Sequence, residues 1–428
     1  MTSSDDRTEA LLQFAIGLFL SSLFFVVLYF TYRSAVPVIQ LENGDLHMSD
    51  FAYHVMLVRD FWFGQTHNIY SYPDQLALIQ REFGEKYVHA MPVGVSPIAL
   101  LVWWPFAAIS RSSMELACAA WSGLSAGVFI SGILKVFANR RELFSNPYGA
   151  LFFVTAAATL LSHTALTAVL LGQTTMMAAG ALLFLFSSCL RDQRQCSTLS
   201  LVFLALVCGL KIPYLLAAMG ILLAYGKMNE LGMLLCLVAA FMVSVFFVAG
   251  LDTQLAYLQT QRMYSWGQIP EYYQDSLVPS TVVTLGTALA ERIDWHSARV
   301  VATCSSLMSY ALLFGIALGS QGLTRDRSAQ MLAALSIAIF PCLAPYAGAY
   351  EDLLLLPAIA FTLASAREGQ SKLRTAIELA WPAALLLILN FNSGFVPRVV
   401  PLILALKIIP FLATSLFRQQ PETVRTDG

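Results

Sequence analysis

Charged side chains are scarce in this chain. Asp, Glu, Lys and Arg together make up 12% of its 428 residues, where soluble domains carry roughly 25%. Hydrophobic residues account for 57%, and the mean hydropathy is +0.67. A surface this apolar aggregates in water, so a soluble globular domain is excluded and a lipid bilayer is the expected surrounding. The net charge is −1, with no basic tail and no basic stripe with interleaved aromatics, which excludes nucleic acid as a partner. There is no low-complexity linker and no repeat of transporter type. An Asp-x-Asp motif, the usual signature of a metal-bound nucleotide sugar, is also missing. The seven cysteines (Cys118, Cys189, Cys196, Cys208, Cys236, Cys304 and Cys342) fall in or beside apolar stretches without a Cys-x-x-Cys pair. They read as small core residues, and neither disulfides nor zinc follow from them.

What the chain does have is a long series of apolar runs: 11–32, 116–138, 148–165, 172–190, 197–210, 212–226, 230–250, 298–320, 329–345, 352–366, 376–391 and 396–416. Most approach the roughly 20 residues that a helix needs to cross a bilayer. The first is too long for a signal peptide and Ser34-Ala35-Val36 is a poor cleavage site, so it reads as an uncleaved span. One further run, Ser96 to Ile109, is short and carries Pro97 at its start, which suits a re-entrant or juxtamembrane helix. The positive-inside rule supports leaving it out. The short turns with Lys135, Arg140, Arg141, Arg191, Arg194, Lys227, Arg325 and Arg327 then share the cytoplasmic side. The expected fold is all-α and polytopic: a single integral membrane domain over 1–428 with about twelve transmembrane helices and both termini cytoplasmic. Two extracytoplasmic segments follow, about 33–115 with juxtamembrane helices and about 252–297.

Ionisable groups at membrane depth are costly and tend to line functional cavities. In this topology Asp50, His163, Gln173, Lys211, Glu351 and Asp352 all lie at the extracytoplasmic ends of their spans. Asp50 opens SDFAYHVMLVRDFWFGQTHNIY, where Ser49 and Asp50 suit a helix N-terminus and the apolar positions recur near helical spacing. The pattern predicts an amphipathic interfacial helix. Asp50 reads equally as part of its cap or as a general base for a hydroxyl at the lipid–water boundary. His47, Asp50 and His54 form an option for a divalent metal, but solvated loop histidines are the simpler reading, and no cofactor is expected. Lys211, in CGLKIPYLL, is a snorkelling lysine or a cation for a phosphate at the membrane surface. Arg59, Arg262 and His163 compete for that role. Gln173, in LLGQTTMM, caps a turn or hydrogen-bonds a sugar hydroxyl. The aromatics of YLQTQRMYSWGQIPEYYQ fit an interfacial belt and equally fit sugar stacking.

Five segments taken in order resemble glycosyltransferase family 87 of the GT-C superfamily. They are SDFAYHVMLVRDFWFGQTHNIY after the first run, VGVSPIALLVWWPFAAI, LLGQTTMMAAGALLFLF, GLKIPYLL and APYAGAYEDLLLLPA, spread over roughly residues 50–365. Two departures stand out: Ser96-Pro97 replaces the family's Pro-Pro, and Tyr346 with Tyr350-Glu351 replaces its late histidines. The resemblance implies a GT-C-like enzyme of the cell membrane (a bacterial inner or plasma membrane). It would transfer a mannose-like hexose or a pentose, with inversion, from a polyprenyl-phosphate donor to an extracytoplasmic glycan or glycolipid acceptor. Asp50 would be the catalytic base. Tyr53, Arg59, His163, Gln173, Lys211, Arg262, Tyr346, Glu351 and Asp352 would bind substrates, with Lys211 stabilising the leaving phosphate. A lipid-linked glycan transporter or flippase and a polysaccharide ligase are the alternatives.

Overall fold

The computed structural model describes residues 22–23, 25–31, 33, 39–42, 45–85, 90, 92–139, 148–190, 196–266, 295–319, 327–343 and 349–364. They are helical apart from loops and one short antiparallel hairpin, β1 (Ile39–Glu42) and β2 (Asp45–Met48), which pairs Ile39 with Met48 and Glu42 with Asp45. The all-α expectation made no provision for it, although Asn43-Gly44 between the two strands is a strong hairpin signal in a sequence.

The hairpin leads directly into α1 (Asp50–Phe63). The Ser49 hydroxyl accepts from the Ala52 N–H at 3.2 Å and so caps the helix, while Asp50 places negative charge in its first turn. Ser71 caps α2 (Tyr72–Phe83) in the same way, with a proline in the first turn. The run expected not to span forms two short helices, α3 (Ala99–Val102) and α4 (Trp104–Ser110), neither long enough to cross a bilayer. Phe51, Trp103, Phe106 and Trp121 interlock here, with Phe51 and Trp121 stacked at 5.2 Å and the other pairs edge-on. This aromatic cluster clamps the start of α1 against α4 and the following helix.

The apolar runs become α5 (Met114–Ala138), α6 (Tyr148–Leu160), α7 (His163–Leu170), α8 (Thr175–Leu190), α9 (Thr198–Leu210), α10 (Ile212–Ala224), α11 (Met228–Trp266), α12 (Trp295–Gly319), α13 (Arg327–Leu343) and α14 (Leu355–Ala364). A 3₁₀ turn, Ala349–Leu354, precedes α14. Helices α5 and α8 cross closely: a Cβ on Gly180 would lie 2.7 Å from the Val128 carbonyl oxygen, and one on Gly132 2.8 Å from that of Gly180. Small residues at such a crossing let backbones approach where no hydrophobic force drives helices together. Helix α11 breaks at Gly250, whose φ of 76° is open to glycine. Its outer side carries bare apolar side chains, with Phe247 81% exposed, as lipid contact requires.

Among the described residues three helices are long and apolar enough to cross a membrane, Met114–Ala138, Met228–Met263 and Val300–Gly319. The pair α6 and α7, bent by 50°, makes a fourth if it counts as one span. Helices α8, α9, α10 and the core of α13 are apolar but shorter. The expected spans at 376–391 and 396–416 and both termini lie outside the described residues.

Candidate functional site

The site is built around the turn between α7 and α8. Gly172 adopts φ 67°, and a Cβ there would lie 2.4 Å from that of Phe51. The Gly172 carbonyl accepts from Trp121 Nε1 at 2.7 Å, and the Phe51 N–H donates to the Leu171 carbonyl at 3.1 Å. The turn is thus docked on the first residues of α1. The next residue, Gln173, donates its side-chain amide to Asp50 Oδ2.

Two residues further on, Thr175 donates its hydroxyl to Glu351 Oε2 at 2.9 Å. The Glu351 side chain is fully buried, and its Oε1 takes an ion pair from Lys211 Nζ. The Tyr214 hydroxyl lies 3.1 Å from Glu351 Oε2, 3.1 Å from Thr175 Oγ1 and 3.3 Å from Thr174 Oγ1. A buried carboxylate is tolerated only when its charge is paired and its lone pairs are filled, and here three groups do so. The Lys211 ammonium also lies 5.3 Å from the Phe340 ring centre and 5.8 Å from that of Tyr214, in cation–π range.

The two halves of the site meet electrostatically. Burial pushes the Asp50 carboxyl above its ordinary value, while the Gln173 hydrogen bond and the Lys211 charge pull it back part of the way. Lys211 therefore lies close enough to act on Asp50 as well as on Glu351. The Lys211 turn is held by the start of the α3 segment. Ser96 N–H donates to the Leu210 carbonyl at 3.0 Å, and its hydroxyl donates to that of Gly209. A proline at 96 would make neither bond.

No family model, curated protein or solved structure matches this chain.

The expected site residues divide into groups. Asp50, Gln173, Lys211 and Glu351 come together. Tyr53 is buried on α1, its ring 5.8 Å from that of His54, and Asp352 is buried beside Glu351 in the 3₁₀ turn. His163 is exposed at the start of α7, at the opposite end of that helix from Gln173. The segment from His163 forms eight residues of helix, capped at its start by the Ser162 hydroxyl. Arg59 pairs with Glu82 at 2.9 Å near the far end of α1, and Arg262 is exposed on α11. Tyr346 lies outside the described residues. Of the metal option, the His54 ring lies flat over Trp103 at 5.6 Å and burial lowers its pKa to about 4. Among the described residues no group of three His, Cys, Asp or Glu could hold a metal ion, and the side chain of His47 is not among those described.

Thr174, Thr175, Tyr214 and Ser96 were absent from the expected set. Tyr214 sits one helical turn beyond Lys211, and the threonines directly follow Gln173. Hydroxyls at those offsets from a charge and an amide were the available signal.

Proposed function

We propose that this protein is a polytopic membrane glycosyltransferase. It moves a mannose-like sugar from polyprenyl phosphate to an extracytoplasmic glycan or glycolipid, with inversion. The observation that carries the reading is the convergence of Asp50, held by Gln173, with Lys211, which Glu351 anchors. Asp50 takes the proton of the acceptor hydroxyl as its oxygen attacks the anomeric carbon. The bond from that carbon to the phosphate oxygen breaks, and polyprenyl phosphate leaves with the electron pair. Lys211 supplies positive charge beside the leaving oxygen. Gln173, bonded to Oδ2, leaves Asp50 Oδ1 as the oxygen that meets the acceptor. The reading includes about twelve spans in a GT-C-like arrangement, cytoplasmic termini and a site open to the opposite side.

The experiment uses membranes containing the full chain and a radiolabelled polyprenyl-phosphate mannose. Wild type should transfer label to acceptor, and Asp50→Asn should lose transfer by a factor of about 10² or more. Full transfer by a folded Asp50→Asn protein would overturn the assignment.

A lipid-linked glycan transporter is the second reading. The specific observation favouring it is the buried Lys211–Glu351 pair, a feature that also marks ion pathways. Proteoliposomes that move an intact lipid-linked sugar across the bilayer without cleaving it would favour that reading.

A further inference from the structure

A polar cavity lies at the other end of α1 from Asp50. It encloses about 290 Å³ and is lined by Arg59, Asp60, Phe63, Gly64, Glu82 and Arg111. Arg59, the lining residue of α1 nearest to Asp50 in sequence, is nine residues along the helix from it, about 14 Å at 1.5 Å per residue. The cavity is therefore separate from the site built on Asp50.

Its charges are unequally satisfied. Asp60 Oδ2 accepts from the Thr66 N–H at 3.0 Å and from its hydroxyl at 2.6 Å, and Oδ1 meets Arg81 at 2.5 Å. Both oxygens of Asp60 are thereby engaged within the protein. Arg59 neutralises Glu82 at 2.9 Å. Arg111 is exposed and lies over the Phe63 ring at 4.9 Å, with no carboxylate among the described residues paired to it. Of the two guanidinium groups that line the cavity, Arg59 is thus paired with a lining carboxylate, and Arg111 is the one with no carboxylate partner among the described residues. Gly64 lets the Asp60 carboxylate pack against its backbone, since a Cβ there would fall 1.8 Å from Asp60 Oδ1.

The surroundings define the ligand. Trp62 Nε1 donates to the Leu100 carbonyl at 2.9 Å, tying this end of α1 to the apolar helices α3 and α4. Phe63 and Trp104 beside it are 43% and 47% exposed. Exposed aromatics next to apolar helices sit at the headgroup level of a bilayer. Guanidinium groups bind phosphate through paired hydrogen bonds.

We propose that Arg111 and Arg59 form a second site, which holds the phosphodiester of an anionic phospholipid at the membrane surface. Arg111 makes the principal contact, Arg59 faces the phosphate from α1, and Phe63 lies under the guanidinium that binds it. The site goes beyond the sugar-transfer reading and does not depend on it.

The test is lipid binding to the full-length protein in an uncharged detergent, read by native mass spectrometry. Three probes are compared: dioctanoyl-phosphatidylglycerol, dioctanoylglycerol and glycerol 3-phosphate. The phosphatidylglycerol should bind saturably and more tightly than either other probe. Arg111→Gln should weaken it by about tenfold or more, since a charge-assisted contact is lost, and Arg111→Lys should restore part of the loss. Arg111 is exposed, so both variants should keep the wild-type melting temperature. Equal binding by Arg111→Gln would overturn the site. Equal binding of dioctanoylglycerol would overturn the role of phosphate, and equal binding of glycerol 3-phosphate would overturn the lipid assignment.

Discussion

Lys211 and Glu351 form an ion pair whose carboxylate is fully buried, so each charge depends on the other. Removing one partner strands the other in a low-dielectric interior, at a cost of roughly 3–5 kcal/mol. Glu351→Leu should therefore lower the melting temperature strongly. The double variant Glu351→Leu/Lys211→Met should recover most of that loss, because no unpaired charge remains. Thermal melts of the four proteins in detergent complete the cycle. A double variant no more stable than the single one would mean that packing around Glu351, rather than the pair, sets the stability.

The pH dependence of transfer follows from Asp50. Burial raises its carboxyl above the ordinary 3.8, against the pull of Gln173 and Lys211. A base must be deprotonated to act, so the acid limb of the rate profile should inflect above 3.8. The Gln173 bond favours the charged form. Gln173→Leu should then shift that limb to still higher pH, with the rate recovering at alkaline pH. A limb that does not move in this variant would separate Gln173 from the titration of Asp50.

Gly172 tests the docking of the turn. Its φ of 67° disfavours an L side chain, and the added Cβ would meet Phe51. Gly172→Ala should cost about 1–3 kcal/mol from strain and overpacking. It should also reduce transfer, because Gln173 would be displaced from Asp50. Wild-type activity in this variant would show that the Gln173–Asp50 contact tolerates movement of the turn.

Asp60 gives an acid-stability prediction. Burial pushes its carboxyl up, but the Thr66 hydrogen bonds and Arg81 outweigh that and hold it below its ordinary 3.8. A carboxyl lowered on folding adds stability that is fully present above the ordinary value. That stability is lost as pH falls through the lower folded value. Protection against hydrogen exchange at Thr66 and its neighbours, taken relative to the intrinsic exchange rate at each pH, should thus fall on acidification in wild type. In Asp60→Asn protection should be lower already at neutral pH and change less on acidification. Equal exchange in the two proteins would remove Asp60 from the loop's stability.

Much of the helix layout was legible in the sequence. The runs read at 116–138, 212–226 and 298–320 correspond to α5, α10 and α12 within a few residues. Ser49 and Asp50 marked the start of α1. The reason is that hydropathy, caps and breakers act over one helical turn, and each can be read from neighbouring residues. The hairpin at Ile39–Met48 carries no apolar run to mark its strands, although Asn43-Gly44 is a turn signal between them.

The site was legible in part. Asp50, Gln173, Lys211 and Glu351 could be singled out one by one, as polar residues at apolar run ends. Their partnerships could not. That Arg59 turns to Glu82 depends on where α2 lies against α1. That Tyr214 and Thr175 close around Glu351 depends on how α8 and α10 meet the 3₁₀ turn.

Composition alone set the solvent of this protein, because 12% charge cannot cover a surface in water. Local pattern set most of the helices, because their hydrogen bonds join residues four apart. Tertiary structure decided that Gln173 holds Asp50 and that Glu351 holds Lys211. Those contacts join residues more than a hundred positions apart. Which distant side chains meet depends on the crossing, rotation and bend of each helix, and packing of the whole bundle sets these.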